Sequence, residues 1–317
     1  MIKIIYIVDD NLAKKIKEIL EFFNYPSEIF NIKEFEIEGN EEGFIFISAI
    51  GIVIRKYIDK IKKDKFTDPF VIVANEKKEF IPILSNHLGR GNYFAKLLAN
   101  YLNGKVIFTT ATDTHNKVGL DELTNILYLE KPKREDILKI NKKILFEDVN
   151  IKIPHYWRIK KIDGYIIEYH NKNYVLVDNY IKLNPLKIVV GVGCRKNIKE
   201  HKVYWLIKKA LFLRNLESWR VDAFSSISIK RDELGLINAI NKLNKEILFF
   251  DNNELNNIVG KYNLNKNDFV YKNTGAFSVS EASALLGVEK LSKNKGKLLL
   301  KKIKKDGVSV SIAIEDR

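Results

Sequence analysis

Short runs of continuously apolar residues alternate with helical patterns in both halves of this 317-residue chain. Near the N-terminus, the run IKIIYIV is followed by NLAKKIKEILEFF, in which apolar residues recur at helical spacing. Strands that are apolar along their whole length are usually covered by helices on both faces of an open, mainly parallel sheet. The alternation therefore predicts an α/β fold.

Changes in composition divide the chain into three parts. We predict an N-terminal α/β domain over residues 1–130, a β-rich middle linker segment over 131–184, and a C-terminal α/β domain over 185–317. Both domains are expected to have open, mainly parallel sheets. In the middle segment, GYIIEYHNKNYVLVDN alternates apolar and polar residues on both sides of a polar turn, which predicts a hairpin.

Composition restricts the class of protein. The hydrophobic content of 46% is enough for buried cores. The single cysteine, Cys194, excludes an internal disulfide and a thiolate metal cluster. The sequence has no run of about 18 apolar residues that could span a bilayer, and the N-terminus lacks the pattern of a signal peptide. We therefore predict a cytoplasmic protein without a membrane partner.

The net charge of +14 predicts an anionic partner. A nucleic acid is one alternative, because lysine and arginine neutralise phosphates. However, 45 of the 54 basic residues are lysines, and they are spread along the whole chain without a block of arginines and interleaved aromatics. A small molecule with many carboxylates fits the charge equally well, so the charge indicates the sign of the partner and not its class.

The stretch LSNHLGRGNYFAKLLANYL places polar and flexible residues between an apolar run and a helix. Backbone N–H groups at such a helix start are unpaired and favour negative charge. Gly89, Arg90, Gly91 and Asn92 are therefore candidates to hold a carboxylate or an oxyanion. His87 is a candidate to move a proton near neutral pH. The alternative is an ordinary turn in which Asn92 caps the helix and His87 makes a structural hydrogen bond.

A second polar turn, in FTTATDTHNKVGLDEL, follows another strand. Ligands of open α/β sheets bind at the carboxyl ends of strands, so Thr110, Thr112 and Asp113 are candidates for the same site, with Asp113 as base or as orienting group. The alternative is a turn followed by a helix cap at Asp121. His87, Asp113 and His115 also suggest a metal, but their spacing matches no firm signature, and we predict no metal site.

Three further segments carry weaker signals. AIGIVIRK offers Gly51 and Arg55, since arginine suits carboxylates, although a surface arginine is an adequate alternative. GVGCRKN has the form of a phosphate-binding glycine turn, but Gly-x-Gly alone is unspecific, and Cys194 is better explained as a packed thiol. SISIKRDELG contributes Lys230, and TGAFSVSEASAL contains Ser278 and Glu281 at the spacing of a capping box.

Together these segments resemble the CbiG family of cobalamin biosynthesis, the cobalt-precorrin-5A hydrolases. The resemblance rests on their order along the chain, in which the matching segments are AIGIVIRK, DKFTDPFVIV, IPILSNHLGRGN, FTTATDTHNKVGLDEL, VGVGCRKN, SISIKRDELG and NTGAFSVSEASAL. Residues 131–184 match weakly. Family members usually read Gly-His-Leu-Gly-Gly-Ala-Asn where this chain reads NHLGRGN, so Arg90 replaces a glycine and Gly91 an alanine.

The resemblance implies a hydrolase that opens the δ-lactone of cobalt-precorrin-5A and releases acetaldehyde, giving cobalt-precorrin-5B on the anaerobic route to vitamin B12. The implied substrate is an anionic cobalt-tetrapyrrole, which agrees with the positive charge and requires neither a nucleic acid nor a cofactor of the protein's own. His87 and Asp113 are the expected catalytic residues, with N–H groups of the first polar turn stabilising the oxyanion. The expected substrate-binding residues are Gly51, Arg55, Gly89, Arg90, Asn92, Thr110, Thr112, Gly193, Arg195, Lys230 and Ser278.

Two alternatives stay open at this point. One is a tetrapyrrole-binding or assembly protein of the same pathway that has lost the reaction, which the change to Arg90 makes worth testing. The other is a basic nucleic-acid-binding protein. Further expected partners are neighbouring enzymes of the pathway or a second copy of the chain.

Overall fold

The structure, a computed structural model, describes residues 1–64 and 66–316. Contacts divide the chain into two compact units, of which the first comprises Met1–Ile153 and Ile159–Leu183 and the second Pro154–Arg158 and Asn184–Arg317. Most of the segment predicted as a separate linker therefore groups with the first unit. Its short piece in the second unit includes Trp157, whose ring packs 5.4 Å from that of Trp219.

A six-stranded sheet in the order β2-β1-β3-β4-β5-β6 forms the centre of the first unit. Its strands are β1 (Ile2–Tyr6), β2 (Ser27–Asn31), β3 (Gly43–Ile47), β4 (Phe70–Ala74), β5 (Glu79–Leu84) and β6 (Lys105–Val106). The first four run parallel, whereas β5 is antiparallel to β4 and parallel to β6. The carboxyl ends of β5 and β6 therefore lie at the opposite edge of the sheet from those of β1, β3 and β4.

Seven helices accompany the strands in the described part of the first unit. They are α1 (Asp10–Phe22), α2 (Ile50–Val53), α3 (Asp59–Ile61), α4 (Gly91–Leu102), α5 (Ala111–Thr114), α6 (Leu120–Leu127) and α7 (Arg134–Lys143), with a π-helical turn over Ile54–Ile58. Helix α1 begins where the sequence predicts it, because the Asp9 carboxylate accepts a hydrogen bond of 2.9 Å from the N–H of Leu12. Its apolar stripe, which includes Ile16 and Leu20, is buried.

The middle of the chain forms a separate four-stranded sheet in the order β10-β9-β7-β8. Its strands are β7 (Val149–Pro154), β8 (Tyr165–His170), β9 (Val175–Val177) and β10 (Ile181–Leu183). The prediction of strands here is confirmed, but the predicted hairpin of β8 with β9 is wrong. Strand β7 lies between them and pairs antiparallel with β9, a long-range contact that local alternation does not reveal.

The second unit is a five-stranded sheet in the order β13-β12-β11-β15-β14. Its elements are β11 (Ile188–Cys194), α8 (Glu200–Phe212), β12 (Ala223–Ile227), α9 (Leu234–Asn241), β13 (Ile247–Phe250), α10 (Asn252–Lys261), α11 (Asp268–Thr274), α12 (Ser280–Ser292), β14 (Gly296–Lys305) and β15 (Val308–Glu315), with 3₁₀ turns over Ser218–Arg220 and Ser228–Lys230. Strands β11, β12 and β13 are parallel, and β15 and β14 close the sheet in antiparallel fashion.

Helix α12 packs closely on this sheet because β11 carries Gly191. A Cβ atom at that position would lie 1.9 Å from the carbonyl oxygen of Ser280, so only glycine admits the first turn of the helix. The α/β class predicted for both halves, with mostly parallel strands, is confirmed. Within the described residues, the structure contains no helix that is both long and apolar enough to cross a membrane.

Candidate active site

His87 lies in the turn between β5 and α4, at the carboxyl end of β5. Its side chain is 10% exposed and lines a cavity of about 840 Å³ in the first unit. The ring nitrogen Nδ1 is buried and makes no hydrogen bond with any described residue. A buried polar atom without a partner is uncommon in folded proteins, so the predicted structural hydrogen bond does not explain this histidine.

The Asp113 carboxylate is buried next to the imidazole, with 4% of its side chain exposed and its Oδ2 atom 3.6 Å from Nε2 of His87. It is held in place by Asn92, whose amide nitrogen donates to both carboxylate oxygens at 2.9 Å, and by the hydroxyl of Thr110. The carboxyl ends of the neighbouring strands β5 and β6 therefore bring the two predicted catalytic residues together. Asn92 acts through this contact and not as a helix cap, since the N-cap residue is Arg90.

Glu122, which sequence reasoning missed, faces the other side of the imidazole. Its Oε2 atom lies 3.7 Å from Nδ1 of His87, and its Oε1 atom lies 3.6 Å from Nζ of Lys96. One turn further along α6, the amide of Asn125 donates to the carbonyl oxygen of His87 at 2.5 Å. The sequence contains the adjacent acids Asp121 and Glu122 in the helix after the Asp113 turn, which could have indicated a second carboxylate at the site. Only Asp121 was considered, as a helix cap.

Asp121 does not cap its helix, contrary to the alternative considered from the sequence. The carbonyl oxygen of the Asn141 side chain accepts from the N–H of Leu120 at 2.7 Å, and its amide donates to Asp121 at 3.1 Å. Helix α7 thus supplies the cap for α6. Asn141 also lines the cavity.

His87, Asp113 and Glu122 are the residues at this site that could bind a metal ion. One atom each of His87, Asp113 and Glu122 lies within 4.8 Å of the others, a set that could hold a cation. The two ring nitrogens, however, face different carboxylates. A bound ion needs one ring nitrogen and the carboxylate oxygens at about 2.0–2.2 Å from a single point. His115 is not part of the set; its Nδ1 atom lies 2.8 Å from the carbonyl oxygen of Ala111.

Backbone N–H groups of the turn are mostly used within the turn itself. Those of Arg90, Gly91 and Asn92 donate to the carbonyl oxygens of three preceding residues, which are His87, Ser85 and Asn86. The predicted oxyanion hole built from all these groups is therefore wrong. Of the N–H groups from Gly89 to Asn92, only that of Gly89 makes no hydrogen bond with a described residue.

Basic side chains that the sequence did not single out line the same cavity. They are Lys62, Lys63, Arg134 and Lys142. None of them forms an ion pair with another residue within the ranges 1–64 and 66–316, and all are exposed. Thr110 and Thr112 line the cavity as predicted residues of this turn. The cavity therefore presents His87, with the Asp113 carboxylate buried behind it, beside cations that carboxylate groups of a ligand can approach. Three acidic residues also line it, which are Asp64, Asp68 and Asp121.

Gly51 and Arg55 are not brought to this cavity. They follow β3, which is parallel to β4, and β4 is antiparallel to β5. Their turn therefore lies at the edge of the sheet opposite to the His87 turn. The Arg55 side chain is exposed and donates to the carbonyl oxygen of Gly51 at 2.9 Å. Arg55 is therefore a surface arginine, which was the alternative considered from the sequence.

The Arg90 side chain packs into the first unit. Its guanidinium lies over the ring of Tyr93, 4.3 Å from the centroid, and Nη2 donates to the hydroxyl of Tyr25 at 3.4 Å. The backbone of Arg90 is left-handed, with φ of 69°, a conformation in which glycine is favoured. Arg90 therefore holds a backbone conformation that glycine adopts more easily, and its side chain is engaged by Tyr93 and Tyr25.

Two substitutions at position 90 separate packing from backbone strain. Arg90→Ala is expected to lower the free energy of unfolding by about 1–2 kcal/mol, because the cation–π contact and the packing of the guanidinium are lost while the backbone strain is unchanged. Arg90→Gly loses the same contact but relieves the strain, and should be more stable than Arg90→Ala by about 1 kcal/mol. Urea denaturation measures both; a glycine variant less stable than the alanine variant would contradict the strain argument.

In the second unit, the predicted residues Gly193, Arg195, Lys230 and Ser278 all line one cavity of about 1190 Å³. The two glycines of the Gly-x-Gly motif lie within β11 and not in the turn after it, which agrees with the low specificity given to this motif from the sequence. The predicted capping box is wrong. Glu281 accepts at 3.1 Å from the N–H of Lys302, and the hydroxyl oxygen of Ser278 has no partner among the described residues.

Cys194 is a packed thiol. Burial raises its pKa to about 11, with Glu233 acting in the same direction and Lys230 opposing it. Because alkylation requires the thiolate, native protein at pH 8 should react with iodoacetamide roughly 200-fold more slowly than the urea-unfolded chain. The rate should rise about tenfold per pH unit up to pH 10. Mass spectrometry of the modified chain gives both rates, and equal rates would show a reactive thiol.

Comparison with known proteins assigns this architecture to the cobalamin-synthesis proteins. Residues 36–113 match the model of the cobalamin synthesis G N-terminal domain, and residues 188–313 match that of the cobalamin synthesis G C-terminus. The chain belongs to the CbiG family. The first match includes His87, Asn92 and Asp113, and the second includes all four predicted residues of the second cavity.

Curated relatives carry matching names. A Methanocaldococcus jannaschii protein named "Probable cobalt-precorrin-5A hydrolase" is 55% identical over 322 residues, covering 100% of this chain and 99% of the relative. The cobalt-precorrin-5A hydrolase of Priestia megaterium is 26% identical, covering 86% and 78% of the two chains. A solved structure of a cobalamin biosynthesis protein G homologue from Sulfolobus solfataricus covers 99% of this chain and 97% of its own, with 26% identity and a TM-score of 0.61. The predicted family and the predicted class of enzyme, a hydrolase, are thereby confirmed.

Proposed function

We propose that this chain hydrolyses cobalt-precorrin-5A, opening the δ-lactone and releasing acetaldehyde to give cobalt-precorrin-5B. The observation that carries the proposal is the pair of His87, which lines the cavity, and the buried Asp113 carboxylate 3.6 Å from its Nε2 atom. Relatives named for cobalt-precorrin-5A support the choice of substrate.

In the first step, His87 acts as general base and removes a proton from the water that attacks the lactone carbonyl. It does so through Nε2, because Nδ1 is buried and faces Glu122. The Asp113 carboxylate, which Asn92 and Thr110 fix, lies beside Nε2 and stabilises the positive charge that the imidazole gains. The distance of 3.6 Å between Nε2 and Oδ2 is longer than a hydrogen bond, as is often found for catalytic pairs without substrate.

In the second step, the freed hydroxyl is deprotonated, and the bond between the hydroxyl-bearing carbon and the ring breaks. The two-carbon fragment leaves as acetaldehyde, and the electron pair passes to the cobalt-bearing ring. The difficult part of this chemistry belongs to the substrate, and the protein supplies orientation and charge. Glu122, 3.7 Å from Nδ1 of His87, is placed to hold the second nitrogen of the protonated ring.

Carboxylates on the ring edge are held by cations of this cavity. Lys62, Lys63, Arg134 and Lys142 are exposed and line it, so they replace Arg55 and Arg90 as the groups we assign to this contact. The Arg90 guanidinium is already engaged by Tyr93 and Tyr25.

We propose that the reaction needs no metal of the protein's own, because the two ring nitrogens of His87 face different carboxylates. Turnover should be unchanged after the protein is dialysed against EDTA and then freed of the chelator. Readdition of Zn²⁺ should not stimulate it. Loss of turnover that Zn²⁺ restores would show that His87, Asp113 and Glu122 bind an ion.

The testing experiment measures acetaldehyde released from anaerobically prepared cobalt-precorrin-5A, with and without the protein. Release that depends on the protein is the expected result. An absorption shift of the substrate without release would identify a binding protein that has lost the reaction. If neither signal occurs, titration with duplex and single-stranded DNA at two salt concentrations tests the nucleic-acid alternative, which predicts affinity that falls steeply with salt.

A further inference from the structure

The second unit has its own cavity at the carboxyl ends of the parallel strands β11 and β12, where ligands of α/β sheets bind. Its volume is about 1190 Å³, whereas sites for small molecules are commonly about 300–1,000 Å³. The cavity therefore has room for a large ligand. The groups assigned above to lactone opening all belong to the first unit.

Positive charge predominates among the side chains that line this cavity. Six are basic and three are acidic: Arg195, Lys196, Lys230, Lys302, Lys304 and Lys305, and Asp232, Glu233 and Asp306. Lys230 is paired with Glu233 at 3.3 Å, and Lys302 lies 3.8 Å from Glu281. The other four basic side chains form no ion pair with a described residue, so they are available to carboxylates of a ligand.

Large apolar side chains are exposed beside these cations. Ile229, Leu234 and Phe269 line the cavity and are 56%, 71% and 74% exposed. Apolar groups of this size gathered at a cavity indicate a binding surface more than a solvated one. An aromatic ring and two branched aliphatic groups suit a flat apolar body. The combination fits a ligand with an apolar centre and a charged edge.

The start of α12 adds a specific contact. Ser278, which lies just before this 13-residue helix and lines the cavity, is 1% exposed, and its hydroxyl oxygen has no partner among the described residues. The first N–H groups of a helix and its dipole favour an anion at this end. A hydroxyl that is buried without a partner costs free energy unless a ligand completes its hydrogen bonding.

We infer that the second unit holds the cobalt-tetrapyrrole macrocycle, an inference that rests on the proposed function. The ring lies on Ile229, Leu234 and Phe269, and a ring carboxylate accepts from the hydroxyl of Ser278. The unpaired cations of this cavity bind other carboxylates of the ring. This is a holding site and not a second reaction centre, because no histidine is found among the described residues that line it, and burial keeps Cys194 a thiol.

The test uses the full chain carrying His87→Ala, so that substrate is bound and not consumed. Cobalt-precorrin-5A is titrated anaerobically and followed by its absorption spectrum. In this background, Lys304→Glu with Lys305→Glu should raise Kd at least tenfold. The matched control is Lys293→Glu with Lys295→Glu, which makes the same change in charge at two exposed lysines just before β14 begins at Gly296. It should change Kd less than twofold. Phe269→Ala, which leaves the charge unchanged, should raise Kd about fivefold.

Local contact is measured by hydrogen–deuterium exchange, in which substrate should protect residues 229–235 and 267–274. Unchanged Kd and unchanged exchange in these segments would overturn the inference. An effect of charge reversal without an effect of Phe269→Ala would show a site for simple anions and would also overturn it. Acetaldehyde release by the unsubstituted chain is measured on the same preparations. Release with unchanged Kd refutes only the holding site, whereas weakened binding without release refutes only the proposed reaction.

Discussion

Replacement of His87 by alanine is expected to lower acetaldehyde release by about 100- to 10,000-fold, the usual contribution of a general base. The side chain lines the cavity of the first unit, and its Nδ1 atom has no partner among the described residues. Binding of cobalt-precorrin-5A should stay within about threefold of the unsubstituted chain, because cations and not His87 hold the carboxylates. Release is measured by trapping acetaldehyde, and binding by the absorption shift.

His115→Ala is the matched control, because this histidine lies in the adjacent turn, is exposed, and places its Nδ1 atom near the Ala111 carbonyl oxygen and the Thr114 hydroxyl. Its turnover should equal that of the unsubstituted chain. Unchanged turnover of His87→Ala would remove His87 from the mechanism. A loss of binding equal to the loss of turnover would instead make His87 a substrate contact.

Replacement of Asp113 should affect both activity and stability. Asp113→Ala leaves the Asn92 amide and the Thr110 hydroxyl without their acceptor in a buried place, which should lower the free energy of unfolding by about 1–3 kcal/mol. Turnover should fall roughly 100-fold, because the imidazole loses the carboxylate that stabilises its positive charge. Urea denaturation and acetaldehyde release measure the two effects.

Asp113→Asn separates the two roles of the carboxylate. Asparagine keeps the shape and one acceptor oxygen, so its stability should lie between that of Asp113→Ala and that of the unsubstituted chain, while turnover falls nearly as far as for alanine. Asp59→Ala, at an exposed helix start, is the control and should change stability by less than about 0.5 kcal/mol. Full turnover of Asp113→Asn would show that the negative charge beside His87 is not needed.

Both proposed catalytic residues could be named from the sequence because each stands in a polar turn directly after an apolar strand. His87 follows β5 and Asp113 follows β6, and these strands are parallel neighbours. Their turns therefore meet at one edge of the sheet. Asn92 and Thr110 were recognised as members of the site, but their role as donors to Asp113 depends on side-chain positions that spacing does not give.

Two other predictions failed because the groups concerned already have other hydrogen-bond partners. The oxyanion hole was inferred from helix-start N–H groups, yet three of them are used by carbonyl oxygens of the same turn. Ser278 and Glu281 have the spacing of a capping box. The Glu281 carboxylate instead accepts a hydrogen bond from the backbone N–H of Lys302 in the distant strand β14. The competing partners are local in the first case and distant in sequence in the second, and in neither case does residue spacing reveal them.

The sequence alone determined the α/β class, because continuously apolar strands require helices on both faces, and it determined the family through the order of its motifs. Only the tertiary structure decided which of the polar turns share a site. The antiparallel insertion of β5 beside β4 moves the His87 and Asp113 turns to one edge of the sheet and leaves Gly51 and Arg55 at the other. Strand direction is set by packing of the whole sheet and not by the residues of one strand. Glu122 as a neighbour of His87, and Lys62 and Arg134 as residues of its cavity, likewise depend on how distant segments pack, so only the folded chain identifies them.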